Sequence, residues 1–354
     1  MKYLFIYLTL TFSTLFANSP ANDKYPWAEL DAQTHNVLNL IANDKLHDAL
    51  LAVNEMEKKK VTEIPFYDCL RAAVFYKIEE EYKSREFEAD FNGVVEKAIR
   101  SLEDESKDKE KGNIYKAKRL QFLGSAYGYR GMSRALSGLF ASAFFDGKRG
   151  ADALDDSLVL DPNLIDNKAG IGTYLYWRSA KAGFVKYVLF WGDKKREGID
   201  DLKAAVADAK IVKQWALGGL LRIYIEEKDW AKATEYADLI IKEYPGDSGT
   251  LRRKAMILYM MGKKSDSLDL LKNTLLPHFK ALDNTILYDK KTVNTANVQI
   301  ELIYRILKIN NEFGGKLIDK DTKSKYLNDV ELLKKRMSPS FSDMNEYVNK
   351  IKEL

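Results

Sequence analysis

Residues 215–247 read WALGGLLRIYIEEKDWAKATEYADLIIKEYPGD. Apolar residues recur at three- and four-residue steps on both sides of Lys228-Asp229. That spacing predicts two helices, Trp215 to Glu227 and Trp230 to Glu243, joined by a short turn, with Pro245 stopping the second. The phase continues outward. Leu258, Gly262, Ser267 and Leu271 each stand 34 positions after Tyr224, Lys228, Ala233 and Ala237, and Pro277 closes this second unit two positions early. A period held at four positions is the mark of stacked helix pairs, in which each unit buries its apolar side on the next.

The offsets from Tyr224 to Ala233, Ala237 and Pro245 resemble those of the tetratricopeptide repeat, a helix-turn-helix unit of 34 residues. The likeness is specific over Trp215–Pro277, looser over Gly124–Pro162 and Gly192–Ala209, and weakest over Trp27–Lys60. Upstream, Gly150, Gly198 and Ala49 take the place of Ala233, the small residue that lets two helix backbones approach to the near end of the usual 8–10 Å. What the resemblance implies is an all-α fold, an α-α superhelix of antiparallel pairs over residues 18–285, with polar C-terminal helices over 286–354 closing the open end. It further implies that the inner face of the superhelix carries a partner peptide. Carried over by phase, the inner positions are Gly218, Arg222, Ile225 and Glu226, with Trp215 one turn earlier, then Arg252, Met256, Tyr259 and Met260; in the preceding long helix they include Tyr187, Phe190 and Trp191.

Other stretches follow from periodicity alone. GSAYGYRGMSRALSGLFASAFFDGKRG, residues 124–150, has small residues at Gly124, Gly128, Gly131, Ala135, Gly138 and Ser142. They share one helical face, so the stretch reads as a packing helix with Gly147-Lys148-Arg149-Gly150 as the turn behind it. It lacks the preceding strand and the glycine fingerprint of a phosphate loop. The spacing from Gly150 to Gly198 exceeds the repeat, which predicts an extended helix over about 164–191. Ser338-Pro339 reads as the start of the last helix, and Asp283 to Thr292 as a loop.

The first residues, MKYLFIYLTLTFSTLFANSPAND, place Lys2 before an apolar run ending at Phe16 and a small residue at Ala17. This is the pattern of a secretory signal peptide over residues 1–17, and a periplasmic or secreted location is expected. Cys69 is the sole cysteine, so no disulfide framework can form, and it reads as a small buried residue. The formal charge of +4 is nearly balanced and leaves no basic stripe for nucleic acid.

His35, His47 and His278 are dispersed, which argues against a zinc site. Acidic runs such as Glu79-Glu80-Glu81, Asp155-Asp156 and Asp200-Asp201 read as solvated helix surface, and no nucleophile motif is present. The expectation is a protein that is not an enzyme and needs no cofactor: an exported scaffold that binds a protein or peptide partner on the concave face of its superhelix, in envelope assembly. A ligand-binding protein is the alternative, with a lipid-like or saccharide molecule held near the aromatics of GIGTYLYWRSAKAGFVKYVLFWGD, residues 170–193. Those aromatics also suit plain helix packing. An envelope hydrolase ranks last.

Overall fold

The computed structural model describes residues 27–59, 64, 66–104, 111–181, 192–337 and 342–354. The expected signal peptide, the Ser338-Pro339 helix start and the candidates Tyr187, Phe190 and Trp191 lie outside the described residues.

The fold is all-α. Helices run in chain order as α1 (Trp27–Ala42), α2 (Leu46–Lys59), α3 (Phe66–Tyr82), α4 (Glu88–Glu103), α5 (Asn113–Leu136), α6 (Phe140–Leu160), α7 (Asn167–Lys181), α8 (Lys195–Asp208), α9 (Lys213–Glu226), α10 (Trp230–Glu243), α11 (Ser248–Met260) and α12 (Lys264–Asp269). A π-helical stretch, Leu270–Leu275, leads directly into α13 (Leu276–Leu282), and α14 (Ala296–Glu312), α15 (Lys320–Leu333) and α16 (Ser342–Glu353) complete the chain.

Local chemistry explains the clearest boundaries. Asp229, Asp247 and Asp319 cap α10, α11 and α15 by accepting from the backbone N–H of Lys232, Thr250 and Thr322. Each such cap contributes about 1 kcal/mol. Lys228 takes a positive φ in the α9–α10 turn, as the short predicted connection requires.

Consecutive helices pack on one another along the chain, α5 on α6, α7 on α8 and α9 on α10 most extensively. The small residues show how. A methyl group built on Gly124 would stand 2.6 Å from Leu154 Cγ and 2.8 Å from the Gly150 carbonyl. Gly172 and Gly198 meet with even less room, since a methyl on either would reach 2.5 Å from the other's carbonyl oxygen. Backbones this close leave no place for any side chain.

Several sequence expectations need correction. Residues 124–150 are not one helix: α5 ends at Leu136, Gly138 adopts φ +76°, and α6 begins at Phe140, so Gly147-Lys148-Arg149-Gly150 lies within a helix. The small residues on the two sides of the turn face each other across the α5–α6 contact, which is why their period runs on through it. Pro277 does not end its unit either. The π-helical turns before it shift the backbone bonding, and the helix continues to Leu282. The expected loop from Asp283 contains a small antiparallel hairpin, β1 (Ile286–Tyr288) and β2 (Lys291–Thr292), turned by Asp289 and Lys290, both at positive φ, as a tight hairpin turn demands.

The core reaches across this linear order. One apolar cluster joins residues from α1 through α6 to residues of α14, α15 and α16, and a second links α7, α8, α9 and α10. At the centre lies α3, in contact with α1, α2, α4, α5 and α14.

Candidate functional site

Every residue of α3 except Glu80 is buried. A helix with apolar groups all round belongs in an interior, yet this one also carries Asp68, Arg71, Lys77, Glu79 and Glu81 inside. Three carboxylates fall in its last turn, where the helix dipole disfavours negative charge. Cations must come from elsewhere in the chain.

They come from the positions that the repeat resemblance assigns to an inner face. Arg222 of α9 donates to Glu80 at 2.6 Å and lies 3.8 Å from Glu81. Arg252 of α11 bridges Glu81 at 2.9 Å and Glu301 of α14 at 3.4 Å. Its neighbour Arg253, which sequence reasoning passed over, reaches both Glu80 at 2.9 Å and Glu81 at 2.8 Å. Glu301 also receives Lys83 at 3.0 Å and Arg305 at 2.8 Å. One turn back along α3, Lys77 sits between Asp247 at 2.9 Å and Asp44 at 3.3 Å. Asp44 in turn accepts from Ser248 and lies 3.2 Å from His278. A single network thus fastens α3 to α9, α11 and α14, and to the loops before α2 and α11.

The electrostatics follow from that density of charge. Burial would raise the Glu81 carboxyl, but Arg253, Arg252, Lys77 and Arg222 together outweigh it and hold the group well below the ordinary carboxylate range. Glu301 behaves the same way, its burial overcome by Arg305, Arg252 and Lys83. Burial would lower Lys77, yet Asp247, Asp44 and Glu81 keep it firmly protonated. Glu79 is the contrast: burial raises it, and the hydroxyl of Ser133, donating at 2.7 Å, only partly offsets this. Charged groups removed from water survive only with such partners. The reading of Glu79-Glu80-Glu81 as solvated surface is therefore corrected.

The remaining candidates have surroundings of their own. Trp215 is half-buried, edge-on to Tyr129 with ring centres 5.5 Å apart and tilted over Tyr76 at 6.4 Å. Tyr259 donates its hydroxyl to Glu312 at 2.6 Å, while Lys308 and Lys264 stand 5.0 and 5.5 Å from its ring centre. The structure brings Trp215, Arg222 and Arg252 against α3 and leaves Tyr259 at the edge, against α14. A cavity among Tyr76, Lys77, Glu81, Trp215, Arg222 and Asp247 measures about 30 Å³, which is room for a water or two and not for a ligand. In the aromatic helix α7, Tyr176 is buried and donates to Glu227 at 3.2 Å, and Trp177 packs edge-on against it.

The signal that could have revealed the network is in FYDCLRAAVFYKIEEEY itself. Its apolar residues fall on all sides of the helix with no polar stripe, so the acids that close it are carried into the interior with the rest.

Among the described residues, no group of three or more His, Cys, Asp or Glu is placed to hold a metal ion. No described helix is long and apolar enough to cross a membrane. No family model matches the chain, and no curated protein matches it.

Proposed function

We propose that the chain is a non-catalytic scaffold: an exported α-α superhelix of tetratricopeptide-like pairs that binds a protein or peptide partner, in a periplasmic or secreted setting and in the service of envelope assembly. The observation that carries this reading is the ion network. Arginines at the inner-face positions meet carboxylates of an α-helical segment, which is how such a face would meet a peptide, only here the segment is the chain's own α3. In this reading α3 takes the place of the peptide permanently and sets the curvature of the array around itself. The partner then reads the finished surface bordering the filled face, where Tyr259, Lys264 and Lys308 stand clear of α3.

Cross-linking mass spectrometry on the chain in its own envelope extract tests the proposal. The expected result is one protein partner linked through Lys264 or Lys308. Recovery of no protein, together with a small molecule retained through native mass spectrometry, would overturn it in favour of the ligand-binding reading.

A further inference from the structure

The turn between α5 and α6 carries a cluster of apolar side chains that the fold does not use. Phe140 is 72% exposed, Phe145 61%, Leu139 56% and Leu136 40%. All four lie on the turn or within two helical turns of it. A connection of three residues, Ser137 to Leu139, separates the helices, so the cluster forms a narrow convex tip and not a face. Contiguous exposed apolar surface of this kind marks a contact with another phase or another molecule.

Charge distinguishes the occupants. Across residues 136–151 the single carboxylate is Asp146, and it is withdrawn from solvent. Its side chain is 1% exposed, and its oxygens are taken by Arg130 at 2.8 and 2.9 Å and by Arg134 at 2.6 Å. The exposed charges left on the first turns of α6 are Lys148 and Arg149. The neighbouring helix adds to them. α7 runs antiparallel to α6, Tyr174 beside Phe144 and Gly147, so its last turn, with Arg178 and Lys181, lies beside the start of α6. α7 contains no carboxylate. The tip is thus an apolar point inside a cationic collar. Acids reach this region from three sides: Asp152 pairs with Lys148 at 2.6 Å, Glu226 with Lys181 at 2.5 Å, and Glu88 with Arg85 at 3.3 Å, where Arg85 donates to the Ser137 hydroxyl at 3.0 Å. Exposed pairs of this type are weak and readily exchanged for another anion.

The backbone at the tip is also prepared. Gly138 in the left-handed region lets the N–H groups of Ser137, Gly138 and Leu139 bond to the carbonyls of Ser133, Ala135 and Arg134. The turn therefore carries these three donors already satisfied, as backbone near hydrocarbon requires, while the first N–H groups of α6, which no side chain caps, are left to donate to headgroup phosphate or water. A protein partner or a second copy would need about 800 Å² of matched surface on each side, and four apolar side chains at a helix turn do not provide it.

We propose that the α5–α6 tip docks on an anionic lipid surface, with Leu139, Phe140 and Phe145 entering the boundary between headgroups and acyl chains and Lys148, Arg149, Arg178 and Lys181 meeting lipid phosphates. The combination of buried apolar area and basic residues is what holds interfacial elements on a bilayer. The attachment is independent of whatever the rest of the scaffold binds.

Flotation with vesicles tests it, using the chain without residues 1–17 so that the apolar N-terminal run plays no part. Vesicles of phosphatidylethanolamine with phosphatidylglycerol should carry the protein, at least about tenfold more strongly than phosphatidylcholine vesicles, and added salt should weaken the binding. Leu139→Asp with Phe140→Asp should reduce it about tenfold or more while the far-UV spectrum and melting temperature stay unchanged, because both side chains are exposed. Lys148→Glu with Arg149→Glu should abolish the preference for the anionic lipid. The proposal is overturned if the parent chain ignores both vesicles or if the aspartate variant floats like the parent. It is also overturned if the tip instead drives self-association, seen as a dimer in sedimentation that the aspartate variant loses without any vesicle binding.

Discussion

Glu81→Gln preserves shape and removes one charge from the centre of the α3 network. The Glu81 side chain is 2% exposed and pinned, with Arg253 at 2.8 Å, Arg252 at 2.9 Å and Arg222 at 3.8 Å. A methyl group on Gly249 would collide with its carboxylate, so α11 also holds it from behind. Glutamine would turn an amide donor toward guanidinium donors. Breaking a buried ion pair from one side costs about 3–5 kcal/mol, and since Glu80 and Glu301 remain to share the arginines, the low end applies. With about 2.1 cal/mol/K of unfolding entropy per residue, a chain of 354 residues shifts by about 1.4 °C for each kcal/mol, so the melting temperature should fall by roughly 4 °C, read by far-UV circular dichroism. The pH dependence has a definite sign. The folded-state value of Glu81 lies below its ordinary 4.5, so its contribution is complete above that pH and is lost as the pH falls from there toward the folded value. The gap between parent and variant should therefore close in acid. A neutral-pH change under about 0.5 kcal/mol, the size of an ordinary surface substitution, would refute the reasoning, as would a gap that persists in acid.

Two further predictions probe packing. Gly198→Ala places a methyl 2.5 Å from the Gly172 carbonyl oxygen and 2.8 Å from the Tyr176 nitrogen; overpacking of about 1–3 kcal/mol should exceed the helix gain of about 1 kcal/mol and lower the urea midpoint. Gly128→Ala meets nothing within 4 Å and should add up to about 1 kcal/mol of stability and so raise the midpoint; a shift of the same sign in both variants would contradict the close-approach account. Cys69 is 2% exposed and its thiol faces the Phe122 carbonyl at 3.6 Å, while burial, and secondarily Asp68, pushes its pKa up. It should resist a disulfide reagent in the native protein and react fully in denaturant; rapid native labelling would place it elsewhere.

The parts of this fold that were legible in sequence are those specified locally. α9 and α10 follow from the three- and four-residue apolar steps, and their boundary from the short turn at Lys228-Asp229. The α5–α6 break was not legible, because a face of small residues continues through the turn and only the left-handed backbone of Gly138 marks the stop. The hairpin at Asp289-Lys290 was missed for a related reason: its two positive-φ residues are not the glycines that advertise such turns. The network was hidden by distance in sequence. Glu80 and Glu81 meet arginines 142, 173 and 171 residues away, so an acidic run at a helix end looked like surface. Arg222 and Arg252 could be picked out from the repeat phase, but nothing local identified α3 as the segment they hold.

In this structure α3 is a fixed part of the interior, held to α9 and α11 through Glu80 and Glu81, and not a segment that comes and goes. Native-state hydrogen exchange on the backbone amides of residues 66–82 measures this directly. They should exchange only with global unfolding, at the largest opening free energy in the molecule and together with α14. Exchange through a local opening several kcal/mol below the global value, with α9 and α11 still protected, would contradict it and make α3 a displaceable occupant.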